Sequence, residues 1–147
     1  MKETYTKEQL LKDVADDLAH EYMHMNCYLH YASTVTGLHR QELREFYLEE
    51  AASEMKHVMQ FADKLVGLGG FPESKAAFFP QVPTTPKEQL EQILRMEEDR
   101  VETYAIRMRQ CEELGGPDGS TMHVFYENQI DDSRNTVDHV RQLLRGV

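Results

Sequence analysis

Apolar residues return every three or four positions along four long stretches of this chain. In the first, Leu11, Val14, Leu18, Glu21, Met25, Tyr28, Ala32 and Val35 form one seam. Alternating threes and fours predict a bundle helix. Thr6-Lys7-Glu8-Gln9 opens it as a capping box and Gly37 ends it. A second helix runs from about Leu38 to Leu68, with the seam Leu43, Tyr47, Glu50, Glu54, His57, Phe61 and Leu65. Gly67, Gly69 and Gly70 stop it. Residues 71–85 contain Pro72, Pro80 and Pro83 and read as a connection, long enough to travel the length of a bundle. Thr85 caps a third helix with Pro86 in its first turn. Its seam is Leu90, Leu94, Glu97, Val101, Tyr104, Met108 and Cys111. Gly115-Gly116-Pro117-Asp118-Gly119 reads as a tight break, after which Asp118 or Ser120 caps a fourth helix running to about Arg145.

Short, long and short connections make helices one and two antiparallel, two and three parallel, and three and four antiparallel. The expected fold is all-α: a four-helix bundle with one long crossover between helices two and three. Residues 1–147 are expected to form a single domain, long enough to bury a sizeable core. No apolar run is long enough to span a membrane, and Met1-Lys2-Glu3-Thr4-Tyr5 lacks the apolar region of a secretory signal.

The net charge of −10 argues against nucleic-acid binding and for attraction of cations. The antiparallel arrangement separates Cys27 from Cys111 by on the order of 30 Å, beyond the roughly 7 Å a disulfide tolerates. Two reduced thiols point to the cytoplasm.

Glu54-Met55-Lys56-His57 is a Glu-x-x-His step in the middle of helix two. Residues three apart share a helix face, so carboxylate and imidazole point the same way. Glu21 and Glu97 hold the corresponding middles of helices one and three. Carboxylates gathered at one buried level require a cation to balance them. Di-iron carboxylate bundles take one Glu from each of two helices and a Glu-x-x-His from each of the other two. At the matching level helix four offers Asp132-Ser133-Arg134-Asn135 instead. Aspartate still binds metal, but an Asn amide is a weaker, neutral ligand than imidazole. The apolar stripe Tyr126, Ile130, Val137, Val140 and Leu144 runs beside Asp132, and Gln129, Thr136 and His139 share its side. Glu50, one turn before Glu54, is a further metal candidate or a solvated carboxylate. His20 and His24 lie off the seam and read as surface or subunit-contact histidines, with a second metal site as the other reading. Tyr28 is a core aromatic or a redox group.

With these residues in place, nearly the whole chain resembles bacterioferritin. Leu18-Ala19-His20-Glu21, continuing through Asn26-Cys27-Tyr28-Leu29-His30-Tyr31-Ala32, resembles that family's first ligand segment. Ala52-Ser53-Glu54-Met55-Lys56-His57 is similar to its second, and Met96-Glu97-Glu98-Asp99 to its third. Leu68-Gly69-Gly70-Phe71-Pro72 resembles the end of its second helix. The resemblance implies a ferritin-like fold with Glu21 and Glu97 as terminal ligands, Glu54 bridging two irons and His57 binding one. It implies Tyr28 as an electron donor near the site, and Met55 as a haem b ligand at a two-fold interface. The chain departs from the family at Asp132/Asn135. It also stops at Gly146-Val147, without the short fifth helix, so a dimer or a twelve-subunit shell of the Dps type is expected in place of a 24-subunit one.

The implied activity is binding of Fe(II) by carboxylates and imidazole and its oxidation by O2 or H2O2, followed by storage or detoxification of the iron in a homo-oligomer. Two alternatives keep the bundle: a rubrerythrin-like di-metal peroxidase or oxidase without storage, and a bundle with a degenerate single-metal site. Manganese shares these ligands.

Overall fold

A computed structural model of the chain describes residues 4–146; Met1–Glu3 and Val147 lie outside the described residues. Four helices follow in order: α1 (Lys7–Thr34), α2 (Arg40–Gly67), α3 (Pro86–Leu114) and α4 (Gly116–Leu144). They fall into two compact units, one spanning Leu11–Gln89 and the other made of the residues up to Leu10 with α3 from Leu90 onward and α4.

In the first unit, α1 and α2 form an antiparallel hairpin. α1 starts where the capping box sets it, the Thr6 N–H donating to Gln9 Oε1 at 2.8 Å and the Gln9 N–H to Thr6 Oγ1 at 3.2 Å. α1 has no basic residue in its last turn. Its partner helix supplies that charge instead: Arg44 donates to the Ala32 carbonyl at 2.8 Å, and Arg40 donates to the carbonyls of Val35 and Ser33. The inward stripe of α2 is Leu43, Tyr47, Ala51, Glu54, His57, Val58, Phe61 and Leu65. Ala51 takes the buried position expected for Glu50, which is left half-buried at the edge. The crossover then lies along α1. Ala77 donates to the Ala19 carbonyl at 2.9 Å, and the buried Phe79 meets the His30 ring at 6.2 Å. Burying that one phenylalanine contributes roughly 1.5–3 kcal/mol. The Gln89 side chain donates to Thr34 Oγ1 at 3.1 Å at the far end.

At the end of the same unit, α3 opens on a second capping box, between Thr85 and Glu88. The break before α4 is shorter than the sequence suggests. Only Gly115 lies between the helices, and it and Gly116 take left-handed φ values of 67° and 66°. Pro117 sits in the first turn of α4, where its missing N–H costs nothing. Gly119 is therefore helical, and its first turn rests on the last turn of α3. A Cβ there would meet the Cys111 carbonyl oxygen at 2.4 Å. Gly119→Ala is expected to cost about 1–3 kcal/mol, read as a lower thermal midpoint with unchanged helix content by circular dichroism.

Candidate metal centre

α1 and α2 carry the site at their middles. Glu21, Glu54 and His57 are 2%, 3% and 6% exposed, and one ligand atom from each lies within 4.8 Å of the others. The His57 ring donates from Nδ1 to Glu54 Oε2 at 3.3 Å and faces Glu21 Oε2 at 3.5 Å. Burial alone would push the His57 pKa down. The hydrogen bonds with Glu21 and Glu54 and the two carboxylate charges outweigh burial and lift it to about 11. Burial likewise tends to raise the Glu21 carboxyl, but hydrogen bonding with Glu54 and His57 and the charges of His24 and His57 hold it well below the usual range. The proton of His57 thus balances two buried carboxylates at the point where a divalent cation would carry that charge. Carboxylate oxygen and imidazole nitrogen are the donor set that suits Fe(II), Mn(II) or Zn(II), so the residues fit a transition metal.

His24 belongs to this cluster and not to the surface. It is 1% exposed, and one of its ring nitrogens lies within 4.8 Å of a Glu54 carboxylate oxygen. The inward face of α1 is wider than a single seam: Leu10, Asp17, Cys27 and Tyr31 are buried beside Val14, Leu18 and Tyr28. A seam traced through Met25 passes His24 by. The overlooked signal was the step itself, because Glu21-Tyr22-Met23-His24 is a second Glu-x-x-His. His20 does remain near the surface, donating to the Asp16 carbonyl at 2.8 Å.

Tyr28 is fully buried in an aromatic cluster of the hairpin, 6.4 Å from the rings of both Phe46 and Tyr47. Met55 points outward and is 57% exposed. In the second unit, Glu97 is buried at the middle of α3, 1% exposed. Asp132 and Asn135 are exposed. The buried polar residues of α4 are Gln129, Ser133 and Thr136. The inward i, i+3 pair is therefore Ser133/Thr136, one residue along from the expected Asp132/Asn135. On a helix that is a rotation of about 100°. Asp131, Asp132, Arg134 and Asp138 consequently face solvent, while hydroxyls and an amide, cheaper to bury than carboxylates, face in.

Buried carboxylates and imidazoles gather at the middle of the α1–α2 hairpin as a candidate metal site. A ferritin-like domain model matches residues 11–147, and the chain belongs to that family. Its fold is the ferritin-like four-helix bundle with the long crossover between α2 and α3. A ferritin-like, diiron-carboxylate protein from Bacillus anthracis str. Ames is similar at 29% identity and TM-score 0.86, over 94% of this chain and 96% of that one. A Dps protein from Bacillus brevis is similar in fold, with TM-score 0.87 at 14% identity over 98% and 99% of the two chains. So is a mycobacterial bacterioferritin, with TM-score 0.82 at 24% identity over 92% and 82%. No curated protein sequence matches the chain significantly.

Proposed function

We propose that this protein binds Fe(II) at the buried site of Glu21, Glu54 and His57 and oxidises it with O2 or H2O2. The observation that carries this reading is two carboxylates and an imidazole, each more than nine-tenths buried, converging within 4.8 Å. Glu97, the buried carboxylate of α3, is proposed as a further ligand, as the bacterioferritin resemblance implies. Iron is the substrate here. Each Fe(II) gives one electron, so two of them reduce H2O2 to two waters with uptake of two protons, or O2 to H2O2. The chain's own contribution is to hold anionic oxygens where the extra positive charge of Fe(III) develops and to accept or release the His57 proton as iron enters and leaves. Tyr28 remains a candidate electron donor in this scheme. Its place in an aromatic cluster equally suits a packing role.

Storage requires a shell, and we propose a homo-oligomer in the cytoplasm. Cys27 and Cys111 are both buried, and among the described residues no helix is long and apolar enough to cross a membrane. The test is oxygen consumption on adding Fe(II) anaerobically prepared, together with light scattering. A rate no greater than that of buffer would sink the ferroxidase reading. A lasting dimer that consumes peroxide would favour the rubrerythrin-like alternative. Asp132 and Asn135 are exposed and are left out of the proposed ligand set.

Haem b is the finer extension of this proposal. Met55 shares an outward face of α2 with Leu48 and Met59, and it offers one thioether to a haem held between two copies. Haem titration is expected to give a Soret shift in the wild type that Met55→Leu removes. Identical titrations would exclude Met55 as the ligand.

A further inference from the structure

We infer that His24 is a metal ligand, and that α1 supplies from it the imidazole that other di-iron carboxylate bundles take from helix four. This rests on the proposed Fe(II) site and extends it from one metal position to two. Four observations carry it. His24 stands three residues after Glu21, so both project from one face of α1. It is 1% exposed, which an imidazole at a helix middle tolerates only with strong polar partners. One of its nitrogens lies within 4.8 Å of a Glu54 oxygen, the same carboxylate that hydrogen-bonds His57. The buried polar positions of α4 hold Gln129, Ser133 and Thr136, none of which is an anion or an imidazole.

The hairpin therefore carries two Glu-x-x-His steps, Glu21/His24 and Glu54/His57, running antiparallel to each other. Glu54 has two carboxylate oxygens, and a ring nitrogen of His57 and one of His24 each lie within 4.8 Å of its carboxylate. It would serve two ions, one shared with Glu21 and His57 and one with His24. The loss of helix-four ligands is then a relocation of one imidazole from α4 to α1, and the centre keeps its second position. Asp132 and Asn135 have no part in it.

Anaerobic titration with Co(II), a redox-stable probe, separates the possibilities. Calorimetry is expected to give two ions per chain for the wild type and one for His24→Gln, with Asp132→Ala retaining two. Proton NMR of the Co(II)-loaded wild type is expected to show two paramagnetically shifted ring N–H signals, from His24 and His57. That count answers the question even where a substituted chain fails to fold. Two ions in both wild type and His24→Gln, or a single shifted ring signal, would overturn the role of His24 while leaving metal binding intact. No Co(II) bound by the wild type would overturn the metal site itself. A purely structural His24 would lower the thermal midpoint of His24→Gln without changing the stoichiometry.

Discussion

Glu54→Ala is expected to reduce Fe(II) oxidation to the buffer rate, a loss of two orders of magnitude or more, while the helices stay folded. The size follows from the position of the carboxylate. Glu54 accepts the Nδ1 proton of His57 at 3.3 Å and lies within 4.8 Å of ligand atoms of Glu21 and His24. Removing it takes away a carboxylate within reach of both His57 and His24. Altering residues that merely orient metal ligands typically costs 10–100-fold, and a shared ligand costs more. At about 1.4 kcal/mol per factor of ten, the lost stabilisation is roughly 3 kcal/mol or more. Folding is affected less. Glu21 and His57 remain as a buried ion pair, and the removed carboxylate itself was costly to bury. Stopped-flow absorbance of ferric product, with circular dichroism on the same sample, checks both halves. A variant oxidising Fe(II) at the wild-type rate would remove Glu54 from the chemistry.

The second large effect is on pH. His57 has its pKa raised from 6.5 to about 11 in the folded protein. Its contribution to stability is complete below about pH 6.5 and is lost progressively as pH rises toward 11. Glu21 has its pKa lowered from 4.5, so its contribution is complete above about pH 4.5 and is lost as pH falls. The metal-free protein is therefore expected to be most stable between about pH 4.5 and 6.5 and to weaken by up to about 1.4 kcal/mol per pH unit on the alkaline side. Metal binding has the opposite slope. A cation must displace the His57 proton, so affinity rises up to about tenfold per unit between pH 6 and 8, with release of protons. Thermal midpoints from pH 4 to 9, with and without Co(II), show both trends, and His57→Gln flattens the alkaline one. A metal-free midpoint that climbed from pH 6.5 to 9 would contradict the charge assignment.

Much of this was legible in the sequence, because it depended on local signals. The capping box at Thr6, the N-cap at Thr85 and the glycines after α2 set helix ends by hydrogen bonds within a few residues, and the structure keeps them. Glu21, Glu54 and His57 lay on seams fixed by neighbouring apolar residues. The misreadings share one cause: a periodicity says which face is apolar on average, not how wide the buried arc is. α1 buries a broad arc that takes in His24. On α2 the arc includes Ala51 and leaves Glu50 at its edge. On α4 the rotation is set by close backbone packing at Gly119, a contact with α3 that no spacing within α4 can reveal.

The one-residue joint between α3 and α4 has a further consequence. With Gly115 alone between the helices and Gly119 against the Cys111 carbonyl, the joint has no slack, and the phase of α4 is fixed at its first turn. Adding a single residue between that turn and Gln129 would advance the rest of the helix by about 100°. Asp132 would then occupy the place of Ser133, and Asn135 that of Thr136. The acidic step that α4 now shows to solvent stands one codon away from the buried face of this helix, and the length of α4 decides which of its side chains are buried as much as their identity does.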